Sequence, residues 1–131
     1  MILILALVFA LLAGLLHIGI FIMESVLWRR PAVWHRFGLD NQADADTNAL
    51  LAYNQGFYSL FLALGALAGV LSVAFGARIT GWTLLVFTCS SMVAAAAVLH
   101  SSGRHYTRSA LIQATCPALA LVCAAVLALG A

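Results

Sequence analysis

Glu24 is the only glutamate in the sequence, and it is the one charged residue in the apolar run Met1–Trp28. A carboxyl group at the centre of a hydrocarbon layer costs about 3 kcal/mol on insertion scales, so it is kept where it is protonated, paired, hydrated or in use. His17 precedes it by seven residues, about two helical turns, which returns to nearly the same face. A carboxyl and an imidazole on one stripe are the parts of a general acid/base pair. Further along the chain, Tyr53, Asn54, Gln55, Tyr58 and Gln113 stand in otherwise apolar surroundings. Glu24, His17 and Tyr58 are the catalytic candidates, and Tyr53, Asn54, Gln55 and Gln113 the candidates for holding a ligand. Amides orient a carbonyl or hydroxyl, and proton shifts, cyclisation or epoxide opening on an isoprenoid, quinone or lipid-like molecule need little more. Each residue also has an architectural reading. Asn and Gln bridge transmembrane helices for about 0.6 kcal/mol apiece, a neutral histidine can donate to a carbonyl, and Tyr58 can be core.

The elements that must position these groups are apolar runs. Four are long enough to cross about 30 Å of hydrocarbon: Ile2–Trp28, Ala49–Phe75, Ile79–Leu99 and Ser109–Leu129. The first lacks a basic leader and is too long for a signal-peptide core, so it reads as a span. The expected fold is all-α, a single four-transmembrane-helix domain with up-down-up-down topology. Arg29, Arg30 and Arg36 follow the first run, Arg104 and Arg108 lie between the third and fourth, and only Arg78 lies on the other side. That bias places loop 29–48 in the cytoplasm and both termini outside, in a multi-pass protein of the cell (inner) membrane. Within the loop, Pro31–Leu39 mixes Trp34 and Phe37 with His35 and Arg36 and reads as a short interfacial piece ended by Gly38. An Asp or Thr47 is the expected cap of the second helix.

Helix-rise arithmetic sets the depths. Glu24 lies about 6–8 Å inside the cytoplasmic end of the first helix, with His17 about 10 Å deeper. Asn54, Gln55 and Gln113 come one to two turns into helices that start at the same side, and Pro117 deprives the Gln113 carbonyl of its usual partner. Glu24, Asn54 or Gln55, and Gln113 therefore form one layer, with His17 and Tyr58 beneath it. The face Asn54–Tyr58–Phe61–Gly65 is expected to point into the bundle. Gly65 and Gly69 permit close helix approach, either within the bundle or in a homodimer.

Composition narrows the function classes. The chain is 65% hydrophobic and 8% charged, with a mean hydropathy of +1.09, far from the balance of a soluble domain. Its partner is the lipid bilayer. A net charge of +2 without any lysine does not suggest nucleic-acid binding. Cys89, Cys116 and Cys123 lack metal-site spacing and read as packed thiols. Di-iron bundles need several carboxylates, and His17 and His100 differ by about 15 Å in depth, so neither metal, haem nor other cofactor is expected. There is no phosphate loop and no nucleophile elbow.

The segments His17–Trp28 (HIGIFIMESVLW), Phe37–Leu39 (FGL) and Ala52–Gly65 (AYNQGFYSLFLALG), with a weaker echo around Gln113 and Pro117, resemble a family of small four-helix bacterial and fungal membrane proteins known as domain of unknown function family 1304. The resemblance covers most of the chain. It implies the four-helix fold and marks His17, Glu24, Asn54, Gln55, Gly56 and Tyr58 as signature positions, without supplying an activity. Three readings follow: an intramembrane site or enzyme for a lipophilic small molecule, an accessory subunit whose polar layer fixes packing, and a proton-coupled exporter. The third shares its helix count and a first-helix Glu with small multidrug transporters, but Glu24 stands nearer the helix end and the Arg bias is stronger than in their dual-topology members.

Overall fold

The computed structural model describes residues 1–130. Four long helices pack antiparallel in a ring: α1 (Ile2–Phe21), α3 (Gln42–Ala74), α4 (Arg78–Ser101) and α5 (Thr107–Leu129), with a four-residue α2 (Pro31–Trp34) between the first two. Each long helix lies against two neighbours in the order α1–α3–α4–α5 and back to α1, and the α1–α4 diagonal barely touches. All four spans are apolar enough to cross a membrane, with mean hydropathies of 1.9 to 2.7. The chain is a multi-pass membrane protein.

The packing inverts the soluble rule. Ala6, Ala10, Ala13, Ala63, Ala66, Ala96 and Ala120 are buried, while Leu5, Leu12, Leu64, Phe87, Leu111 and Val122 face outward. Lipid tails are as apolar as leucine, so burial of a large side chain gains little, and small residues that bring backbones together gain most. Gly65 and Gly69 are spent inside the chain. A Cβ at Gly65 would lie 2.6 Å from Thr88 Cγ2, and one at Gly69 would lie 2.9 Å from Leu85. The homodimer reading thereby loses this motif.

The same rule overturns the expected inner face of α3. Tyr58 and Phe61 are 61% and 59% exposed, and Asn54 is exposed with them. The inner face is instead Ala52, Gly56, Ser59, Ala63, Ala66, Gly69 and Val73. Aromatic side chains rest in lipid at little cost, whereas the contact with α1 and α4 needs small residues.

The helix ends also differ from the runs in the sequence. α3 begins at Gln42, seven residues before the apolar stretch. Its cap is Asn41, whose Oδ1 accepts from the Asp44 backbone N–H at 2.9 Å while its amide donates to Asp44 Oδ2 at 2.7 Å. Thr47, an expected cap, donates to the Ala43 carbonyl instead. At 33 residues α3 is about 50 Å long, more than the hydrocarbon thickness, so its first turns stand clear of the apolar layer. The first helix departs from α geometry before Trp28, as a π turn over Ile22–Val26. The segment expected to lie at the interface forms α2 and a 3₁₀ turn, His35–Phe37, and Gly38 ends it at φ 78°. Trp28 donates to the Ala45 carbonyl at 2.9 Å, and Trp28, Val33, Trp34, Ala45 and Ala52 form a cluster that pins this loop over the end of the bundle. At the opposite end Gly76, at φ 90°, makes the tight turn into α4.

Candidate functional site

The site begins at the π turn. Its place is set by Gly56 of α3, where a Cβ would collide with Ser25 Oγ and stand 3.1 Å from Glu24 Cβ. Ser25 Oγ donates to the Tyr53 carbonyl at 2.8 Å. A glycine that admits the widened turn and a hydroxyl that ties it to α3 together hold Glu24 inward. Single π turns of this kind recur at functional sites.

Glu24 is 8% exposed, and its Oε2 has no hydrogen-bond partner among the described residues. Whether it carries a proton or a charge, a buried carboxyl oxygen left unpaired is a cost. Glu24 lies on the wall of a cavity of about 500 Å³ between α1, α3, α4 and α5, within the 300–1,000 Å³ or so typical of small-molecule sites. Gln55, Ser59, Ser102, Tyr106, Ser109 and Gln113 add polar groups, and Leu16, Ile20, Met23, Ala95, Val98, Leu99 and Ile112 make the rest largely apolar. A more open groove of about 580 Å³ shares Glu24, Phe37, Gln55, Leu99, Ser102 and Tyr106 with the cavity, and continues past Asn54 and Tyr58 along the outside of α3.

The expected layer of Glu24, Gln55 and Gln113 thus converges on one space, with Asn54 and Tyr58 on the adjoining groove rather than beneath. Tyr53 turns its ring outward onto Phe57, 4.9 Å between centroids, and offers the site only its backbone carbonyl. His17 is 0% exposed and stands behind Gln113. Its Nδ1 is 2.9 Å from the Ala13 carbonyl, which can only accept, so Nδ1 carries the hydrogen. Nε2 of the neutral ring is then an acceptor, 3.4 Å from the Gln113 amide nitrogen. His17 and Glu24 share no hydrogen bond, because the axial distance of about 10 Å between them exceeds the reach of either side chain. Gln113, which contacts His17, lines the same cavity as Glu24.

Arg36, Ser59, Ser102, Tyr106 and Ser109 complete the wall without having been singled out in the sequence. Ser59 had a signal, one turn after Gln55 on the same helix. Arg36 had one too, lying in the amphipathic segment Pro31–Leu39 that bends back over the bundle. Among the described residues no three His, Cys, Asp or Glu side chains converge as metal ligands, and Cys89, Cys116 and Cys123 are free thiols.

The sequence pattern of the family described as "Protein of unknown function (DUF1304)" matches residues 11–125. The chain belongs to that family. No curated protein and no solved structure matches it. The family match takes in Glu24, His17, Gln55, Gln113 and the π turn, so every residue that lines the cavity lies within the matched region.

Proposed function

We propose that the protein holds a lipophilic small molecule with an oxygen-bearing polar group in the cavity beside Glu24. The observation that carries this reading is the Glu24 carboxyl, buried and unpartnered at Oε2 on a side chain that lines a space of about 500 Å³. A side chain kept only for packing would have a partner or be replaced by an apolar one, since an unmatched buried polar group costs about 1–3 kcal/mol. Gln55 and Gln113 present donors and acceptors beside it, and the apolar wall suits an isoprenoid, quinone or lipid-like body. Glu24 serves as the proton donor or acceptor, the amides orient the ligand oxygen, and His17 orients Gln113. Acid/base isomerisation, cyclisation or epoxide opening fits a single carboxyl so placed. The groove past Asn54 and Tyr58 gives a way in from the membrane, and the Arg bias puts this end of the bundle in the cytoplasm.

The test is native mass spectrometry of the protein released from mild detergent, with lipid extraction of the same preparation. The wild type is expected to carry a discrete lipophile that Glu24→Gln loses while remaining folded. Identical, nonspecific lipid content in both proteins would remove the basis for the reading.

A further inference from the structure

The chemistry of the ligand can be narrowed by Arg36, a residue that no layer argument requires. It projects from the 3₁₀ turn His35–Phe37, between two anchored neighbours. Trp34 is buried, and the Phe37 ring packs on Trp28 with 5.3 Å between centroids. The backbone carrying Arg36 is therefore held in place, and its side chain lines the same cavity as Glu24. No ion pair within 4.0 Å forms between charged side chains among the described residues, so the guanidinium keeps all its donors available. Asp44 is bonded to Asn41 and Asp46 to Gln42, while Glu24 shares the cavity wall with Arg36. Arg29, Arg30, Arg104 and Arg108 lie at the same end of the bundle as Asp40, Asp44 and Asp46, and the excess of positive charge there favours anions.

We infer that the cavity selects a single-chain amphiphile with an oxyanion head, a carboxylate or phosphate, held by Arg36 at the mouth with its chain running inward past Glu24. This rests on the proposed function of the same cavity. Guanidinium donors match two oxygens of a carboxylate or phosphate at once, which an alcohol cannot offer. A cationic head would meet Arg36 on its way in, and a neutral head would leave it unpaired. Leu16, Ile20, Ala95 and Ile112 give the chain an apolar wall, and the distance from Leu16 to Glu24 along the helix is about 12 Å.

The experiment compares four probes that share one chain: dodecanoate, dodecyl phosphate, dodecanol and dodecyltrimethylammonium. Binding is titrated by native mass spectrometry from a nonionic detergent, with thermal shift as a second reading. The two oxyanions are expected to bind about ten-fold tighter than the alcohol or the ammonium. Arg36→Gln should reduce that preference to about two-fold or less, whereas Arg29→Gln, outside the cavity, should keep it. Dodecyl phosphate ahead of dodecanoate assigns a phosphate head, and the reverse order a fatty-acid-like one. Equal or tighter binding of the ammonium overturns the inference, as does a preference that survives Arg36→Gln. Displacement of dodecanoate by inorganic phosphate at equal concentration overturns it too, since the site would then take a free anion. Dodecanol binding without oxyanion preference sinks this inference and leaves the proposed function standing; no binding by any of the four sinks both.

Discussion

The two ends of the bundle solve different problems with the same four helices. Around the Gly76 turn, Ala10, Val73, Leu85, Cys89 and Ala120 close on one another, and the space left among Ala6, Ala10, Leu85 and Cys89 is about 10 Å³. Around the Arg36 loop, the helices leave about 500 Å³ and line it with an unpartnered carboxyl. Glycine serves both ends in opposite ways. Gly69 and Gly81 draw α3 and α4 together, with a Cβ at Gly81 only 2.9 Å from the Gly69 carbonyl. Gly56 admits a π turn that puts Glu24 on the cavity wall. The closed end supplies cohesion, and the open end leaves a space lined in part by polar side chains.

That contrast breaks most visibly at Gly81. In Gly81→Ala the new Cβ meets the Val73 backbone nitrogen at 2.7 Å, and backbone cannot swing aside. We expect a loss of roughly 3 kcal/mol, at the upper end for overpacking, read as a fall in unfolding temperature in detergent. Gly56→Ala meets chiefly the Ser25 hydroxyl, a group that can rotate. Its stability cost should be smaller, about 1–2 kcal/mol, while the displaced π turn removes binding of the lipophile. If both alanines cost the same and binding survives, the two glycines do not have separate tasks.

At the open end, Glu24→Leu should reverse the usual sign. It removes a buried oxygen without a partner, so the protein should gain about 1–2 kcal/mol and lose its ligand. The measurement pairs thermal unfolding with mass spectrometry of bound lipid. A destabilised Glu24→Leu would mean that the carboxyl has a structural partner and the site reading is wrong.

The sequence made the closed end and the depth of the open end legible, and left the rotations obscure. Hydropathy alone located four spans, and the helix rise put Glu24, Gln55 and Gln113 at one level. Three features escaped for identifiable reasons. The start of α3 lies in the polar stretch Gln42–Asn48, where hydropathy carries no signal and the Asn41 cap does. The π turn has no local signature, because it depends on Gly56 from another helix. The inner face of α3 differs from the expected one because the rings of Tyr58 and Phe61 rest in lipid at little cost. The stripe Ala52–Gly56–Ser59–Ala63–Ala66 was the better guide in lipid.

A third test concerns the link between His17 and Gln113, which ties the cavity wall to the interior of α1. Gln113→Leu leaves His17 Nε2 without its donor. A double-mutant cycle with His17→Leu should give a coupling of about 0.6 kcal/mol, the usual size between transmembrane helices. Zero coupling would mean that the 3.4 Å approach carries no energy and that His17 does not position Gln113.

The smallest effect on stability is expected at Tyr58, and it separates the groove from the cavity. The side chain is 61% exposed, so Tyr58→Ala should change stability by no more than about 0.5 kcal/mol. Its ring nevertheless borders the groove that shares Glu24 and Gln55 with the cavity. If that groove is the path from the membrane, a smaller residue there widens the path without touching the bound state. Association and dissociation of the lipophile should then accelerate together, with the equilibrium constant unchanged, because a lower barrier acts on both directions alike. Stopped-flow transfer of a fluorescent lipophile into the protein in nanodiscs reads both rates. A changed equilibrium constant would instead put Tyr58 in contact with the ligand, and unchanged rates would move the way in to the Arg36 mouth.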